Sequence, residues 1–127
     1  MKQICTSIEQ SKKLLELGLD LDTADMFWRH ENPSNYDFPV AIDKYERPFK
    51  NNTVAWSLTA LEDLLPSFIR DEQMFFLSKW KRTDDSWKIA YHLGENEYVS
   101  FSGNNFDIVY DMIVWLIENN FFHVNQE

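Results

Sequence analysis

The sequence predicts an α+β domain: an antiparallel sheet of three to five strands, with the N- and C-terminal helices packed together on one face and a short middle helix. Three observations support this fold class. A capped amphipathic segment lies near the N-terminus, an aromatic stretch with two turn motifs fills the second half, and a strongly apolar segment lies near the C-terminus. With 44% hydrophobic and 26% charged residues, residues 1–127 are predicted to form a single globular domain.

The segment "TSIEQSKKLLELG" predicts a first helix over residues 7–17. Thr6 is the expected N-cap, and Glu9 three residues later would complete a capping box. Gly18 follows where many helices end in a left-handed residue. The apolar side chains lie on one side of this helix, so it is predicted to cover the core.

Prolines and Asn or Asp residues interrupt the next part of the chain, which predicts loops and two short strands at about 25–30 and 38–42. The segment "AWSLTALEDLLP" then predicts a helix over 58–65. Ser57 is its expected N-cap, Trp56 is expected to pack on Leu61, and the helix ends near Pro66.

Three antiparallel strands are predicted within "MFFLSKWKRTDDSWKIAYHLGENEYVSFSG", with turns at "KRTDDS" and "GENE". The last helix is predicted in "NNFDIVYDMIVWLIENNFF", residues 104–122, with Asn104 as N-cap. This helix is apolar almost all round. It is expected either between the sheet and another helix, which is favoured, or between the sheet and a partner chain, as in a homodimer.

The net charge of −9 disfavours direct binding to phosphate backbones and to anionic membranes. Acidic residues interrupt the apolar run of the last helix, so no membrane span is expected. The single cysteine, Cys5, and an N-terminus without an apolar signal region predict a cytoplasmic location.

No catalytic motif, metal site or cofactor site is predicted. The three glycines are isolated, and the Cys and His residues are scattered, so phosphate loops and structural zinc sites are disfavoured. His30, Glu31 and Asp37 could bind a divalent ion, although acidic loops with one histidine are usually only solvated. Cys5 could be a nucleophile, but a small buried hydrophobic residue is the favoured interpretation.

Two clusters are candidate binding surfaces. The first is a basic cluster interleaved with Trp80 and Trp87; its members are Lys79, Lys81, Arg82 and Lys88. It is the best candidate in the chain for binding nucleic acid. The favoured interpretation, however, is that its lysines lie on an edge strand and discourage unwanted strand pairing. The second cluster supplies the candidate residues for binding a partner or ligand, although ordinary core packing of its aromatic side chains is the favoured interpretation; it comprises Trp28, His30, Glu31, Tyr36 and Phe38.

The runs "CTSIEQSKKLLELGLDLDTADMFW", "AWSLTALEDLLP" and "YDMIVWLIENNFF" resemble a family of small uncharacterised proteins of bacterial genomes and phage-like mobile elements. The resemblance covers most of the chain and implies an intracellular accessory protein, carried on a mobile element. It implies no activity, ligand or catalytic residue.

The sequence therefore favours a non-enzymatic cytosolic module that binds another protein through the loop from Trp28 to Phe38. One alternative is an acidic inhibitor that mimics nucleic acid and occupies the basic groove of an enzyme. The other is a small-molecule or metal-binding protein that uses His30, Glu31 and Asp37.

Overall fold

A computed structural model describes residues 3–30, 37–42 and 53–122. Three α-helices, one 3₁₀ helix and seven strands are present in these ranges. In chain order they are α1 (Ile8–Glu16), η1 (Leu21–Thr23), β1 (Met26–His30), β2 (Asp37–Ala41), β3 (Thr53–Ala55), α2 (Leu58–Leu64), β4 (Phe68–Asp71), β5 (Gln73–Lys81), β6 (Trp87–Leu93), β7 (Asn96–Gly103) and α3 (Asn105–Glu118).

The predicted α+β class is confirmed, and the strands are distributed over two antiparallel sheets rather than one. The first sheet has the order β2-β1-β3, and the second has the order β4-β5-β6-β7. The chain divides into an N-terminal unit, Met1–Asp63 with Val124–Glu127, and a C-terminal unit, Leu64–His123. The single-domain assignment stays a prediction.

Helix α1 of the N-terminal unit begins one residue later than predicted. Its N-cap is Ser7, and Gln10 completes the capping box: the Gln10 N–H donates to Ser7 Oγ (3.1 Å), and the Ser7 N–H donates to Gln10 Oε1 (2.9 Å). Thr6 is instead fully buried, and its hydroxyl forms hydrogen bonds with Ser11 and Trp56 rather than capping the helix. The predicted cap residues Thr6 and Glu9 were therefore wrong by one position.

The three-stranded sheet confirms the two short strands predicted on either side of residues 31–36. Strand β1 is central, and β3, which was not predicted, pairs with it from Met26↔Ala55 to Trp28↔Thr53. After β3, α2 begins at the predicted cap, where the Ala60 N–H donates to Ser57 Oγ (3.2 Å). The apolar core of this unit includes Leu14, Phe27, Ala55, Trp56 and Leu61.

The C-terminal unit contains the three predicted strands as β5, β6 and β7, with both predicted turns, and adds β4 at one edge. Helix α3 contacts β6 and β7. Its predicted cap is confirmed, since the Asp107 N–H donates to Asn104 Oδ1 (2.8 Å). Seven apolar residues of α3 are buried: Phe106, Ile108, Val109, Met112, Ile113, Leu116 and Ile117. What covers α3 beyond the sheet, a second helix or a partner chain, stays a prediction.

Candidate functional site

The structure describes the side chains of two of the five predicted binding residues. Trp28 lies in the middle of β1, and Phe38 lies near the start of β2. Glu31 and Tyr36 lie outside the described residues, as does the side chain of His30, whose backbone ends β1 opposite Asp37. The proposed ion-binding set of His30, Glu31 and Asp37 thus lies largely outside the described residues.

Trp28 and Phe38 occupy opposite faces of the three-stranded sheet. Phe38 pairs with Arg29, and Trp28 pairs with Pro39. Because successive residues of a strand point to opposite faces and paired residues share a face, the Trp28 and Phe38 side chains diverge. These two aromatic residues do not converge on one pocket. Phe38 is 40% exposed, whereas Trp28 is half-buried.

The N-terminal segment fixes the indole of Trp28. Its Nε1 donates to the carbonyl oxygen of Thr6 (2.9 Å). Thr6 is itself anchored: its N–H donates to Trp56 O (2.9 Å), and its Oγ1 accepts from the Trp56 N–H (3.0 Å). The ring of Trp28 is therefore held in one orientation beside residues 3–10.

An open cleft of about 720 Å³ lies beside this tryptophan, within the N-terminal unit. Its wall is mostly apolar, and Ile4 exposes 57% of its surface. The lining residues are Gln3, Ile4, Cys5, Ser7, Glu9, Gln10, Trp28 and Pro39. The sequence predicted only Trp28 among them, because residues 3–10 reach the cleft through pairing across the unit. No local motif in the sequence indicates that pairing.

Most polar groups of the cleft already have partners within the protein. Gln3 Nε2 donates to Gln10 Oε1 and to Cys5 O (both 2.8 Å), and Ser7 and Gln10 form the cap of α1. Glu9 is exposed in the first turn of α1 and contributes the carboxylate of the lining. The cleft therefore presents apolar surface with one acidic side chain in its lining.

Cys5 faces this cleft but does not have the environment of a nucleophile. The residue is 2% exposed, and burial, together with the nearby Asp25 carboxylate, raises the pKa of its thiol to about 11. A reactive cysteine needs a lowered pKa and access to reagents. The Asp25 carboxylate instead accepts from the N–H and the hydroxyl of Ser57. These features support the interpretation of Cys5 as a small buried hydrophobic residue.

Strand β2 is one of the two edge strands of its sheet among the described residues. The Ile42 N–H donates to Asp25 O (2.9 Å), so Asp25 and Ile42 form a hydrogen-bonded pair. Along an antiparallel ladder, hydrogen-bonded and non-hydrogen-bonded pairs alternate. The pair Trp28↔Pro39 is accordingly non-hydrogen-bonded, so the nitrogen of Pro39 faces the outer edge. Because proline has no N–H, this edge resists extension by another strand.

The basic cluster of the hairpin is divided between the two faces of the C-terminal sheet. Lys79 stacks on Trp87 (Nζ to ring centroid 5.0 Å), whereas Lys88 stacks on Trp80 (5.7 Å) on the other face. Lys88 also pairs with Glu97 (2.7 Å). This division and the internal partners argue against one surface that stacks bases and holds phosphates.

The favoured alternative for these lysines, protection of an edge, is partly supported. Strand β5 lies between β4 and β6, but β4 pairs only as far as Phe76. From Ser78 to Lys81, β5 is paired on its β6 side alone within the described part of the chain. Lys79 and Lys81 therefore lie on a local edge of a strand that is internal elsewhere, whereas Lys88 lies on β6, which pairs with both β5 and β7.

No group of three or more metal-ligating side chains is present in residues 3–30, 37–42 and 53–122. None of the helices in these ranges has the length and hydropathy needed to cross a bilayer. Comparison with protein families, curated proteins and solved structures found no match to this chain. The resemblance to mobile-element proteins stays a prediction.

Proposed function

We propose that this protein is a cytoplasmic interaction module that binds a segment of another protein in the cleft beside Trp28. The observation that carries the proposal is that a tryptophan with a fixed orientation and an exposed Ile4 line the same open apolar cleft. Tryptophans held in place next to apolar surface are frequent anchors of protein interfaces. A small ligand would be expected to bind in a more enclosed pocket, where most of its surface is buried.

The partner engages this site through side chains rather than by adding a strand. Pro39 removes a backbone donor from the outer edge of β2, so main-chain pairing there is interrupted. A cleft of about 720 Å³ accommodates one or two apolar side chains of a partner segment. Glu9 in the lining favours a basic residue of the partner next to them, in keeping with the net charge of −9.

Affinity capture from the native cell lysate, with mass spectrometry of the bound proteins, tests this proposal. Two single variants form a matched pair: Ile4→Ser within the cleft and Leu21→Ser on η1, outside it. These residues are 57% and 56% exposed, so neither change should unfold the protein. We expect a protein recovered by the wild type and by Leu21→Ser to be lost with Ile4→Ser. Equal recovery by both variants would contradict the proposal.

Salt dependence separates the proposal from the nucleic-acid mimic. An apolar cleft complex survives high salt, whereas capture driven by the net negative charge is lost. A partner lost at high salt but retained by Ile4→Ser would favour the mimic. Dimerisation through α3 stays a prediction, and it is weakened because seven apolar residues of α3 are already buried within one chain.

A further inference from the structure

A serine and a histidine are hydrogen-bonded on one face of the four-stranded sheet. Ser78 in β5 pairs with Ala90, and His92 in β6 pairs with Phe76, so the two side chains are diagonal neighbours on the same face. Ser78 Oγ lies 2.8 Å from His92 Nε2. The other ring nitrogen, Nδ1, lies 3.0 Å from the carbonyl oxygen of Gly94.

The carbonyl of Gly94 determines the tautomer of the neutral imidazole. A carbonyl oxygen can only accept a hydrogen bond, so Nδ1 carries the proton and donates it to Gly94 O. Nε2 is then unprotonated and accepts from the hydroxyl of Ser78. This is the relation between a serine nucleophile, its general base and a third group that orients the base.

The surroundings of this pair supply space and charge. A cavity of about 290 Å³ adjoins Ser78 and His92, and its other lining residues are Trp80, Gly94, Glu95 and Glu97. Lys88 lies on the same face, with its Nζ 2.7 Å from Glu97 Oε2. The Glu97 carboxylate, whose residue pairs with His92 in the sheet register, can stabilise an imidazolium.

We propose that Ser78 is a nucleophile that accepts an acyl group from small esters, with His92 as its general base. Ser78 Oγ forms a bond to the ester carbonyl carbon while its proton moves to His92 Nε2. The tetrahedral intermediate expels the leaving alcohol, which takes that proton from His92. The products are O-acyl-Ser78 and the free alcohol. Water can later add to the acyl carbon while its proton moves to His92 Nε2, and the intermediate expels Ser78 Oγ, which takes that proton and leaves the free carboxylic acid. This activity is separate from partner binding in the N-terminal unit.

Reaction with p-nitrophenyl acetate tests the proposal. We expect a burst of p-nitrophenolate and an acetyl group on Ser78, located by peptide mapping. Ser78→Ala should abolish both, and His92→Phe should slow acetylation by about 100-fold, the lower range for loss of a general base. Ser102→Ala, an exposed serine on the same face opposite Lys88, should react like the wild type. Acetylation elsewhere, or an undiminished rate in His92→Phe, would overturn the proposal.

A second measurement covers the case in which the Ser78→Ala protein folds poorly. Ser78→Cys introduces a thiol beside His92, and the native Cys5 is buried, so iodoacetamide should alkylate the introduced thiol. We expect alkylation at neutral pH to be at least about tenfold faster than in the Ser78→Cys, His92→Phe double variant, because the histidine promotes the thiolate. Equal rates in two variants with native circular dichroism would refute activation by His92.

Discussion

At the scale of single residues, Thr6 connects three segments of the N-terminal unit. Its backbone carbonyl accepts from Trp28, and its N–H and hydroxyl both engage Trp56. Its hydroxyl also lies 2.7 Å from Ser11 Oγ, within a site that excludes solvent. The orientation of the cleft tryptophan therefore depends on a residue that does not line the cleft.

We expect Thr6→Val to lower the free energy of unfolding by about 1–3 kcal/mol, because valine keeps the shape but leaves the Trp56 N–H and the Ser11 hydroxyl without this partner. Urea denaturation measures the change. Thr59→Val, at an exposed position of α2, is the matched control and should stay within about 0.5 kcal/mol of the wild type. Equal effects of the two changes would show that the buried hydrogen bonds are unimportant.

The thiol of Cys5 predicts a loss of stability at alkaline pH. Its pKa is about 11 in the folded protein, against an ordinary value of 9.0, so the folded state holds this proton more tightly than the unfolded state. The stabilisation of the folded state by the protonated thiol is complete below pH 9 and is lost as the pH rises from about 9 to 11. Between neutral pH and pH 10, we expect the wild type to lose more free energy of unfolding than Cys5→Ala, by about 1 kcal/mol. Equal losses would contradict this assignment.

At the scale of secondary-structure elements, the C-terminus of α1 shows a complete stop signal. The Gly18 N–H donates to Leu15 O, and the Leu19 N–H donates to Leu14 O (both 3.0 Å). These two bonds form a Schellman motif, which requires a left-handed residue, and Gly18 has φ +96°. The predicted function of this glycine is confirmed.

We expect Gly18→Ala to lower the free energy of unfolding by about 1–2 kcal/mol, because a Cβ atom is disfavoured at positive φ. Gly18→Asn should cost less, since asparagine tolerates the left-handed region better. Urea midpoints of the three proteins check this order. If the Gly18→Ala protein were as stable as the wild type, residue 18 would not need the left-handed conformation, and the prediction would be wrong.

Local signals explain which elements could be predicted. The caps Ser57 and Asn104 and the two turns of the β5 to β7 meander are encoded by neighbouring residues, and all were predicted. Strand β3 was missed because it has three residues and is defined by pairing with β1, more than 20 residues away. The division of the strands into two sheets depends on the same kind of distant pairing.

The candidate sites follow the same rule. Trp28 was predicted as a binding residue from its aromatic neighbourhood, but its actual neighbours in the cleft, such as Ile4, come from a distant segment. Ser78 and His92 are 14 residues apart, and no motif joins them. Their proximity could have been found from the predicted turn "KRTDDS", because pairing of Lys81 with Trp87 places Ser78 diagonal to His92.

At the scale of the whole molecule, the net charge of −9 opposes association with nucleic acids. The cations of the basic hairpin also have partners within the protein. Lys79 donates to Asn105 Oδ1 (2.6 Å), Arg82 donates to Ser102 Oγ (3.5 Å), and Lys81 lies 3.8 Å from Asp85 Oδ1. The Lys81 and Asp85 side chains are largely exposed, so that pair contributes little to stability.

We therefore expect no binding of a fluorescein-labelled single-stranded oligonucleotide at physiological salt, measured by fluorescence anisotropy against a single-strand-binding protein as positive control. The reason is that long-range repulsion acts on the whole chain, while the hairpin presents its two tryptophans on opposite faces. Should binding be observed, the double variant Lys81→Gln, Arg82→Gln locates it. Its matched control is Lys12→Gln, Lys13→Gln on α1, which changes the net charge equally. Binding abolished only by the hairpin variant would contradict this prediction and establish a nucleic-acid surface on the hairpin of β5 and β6.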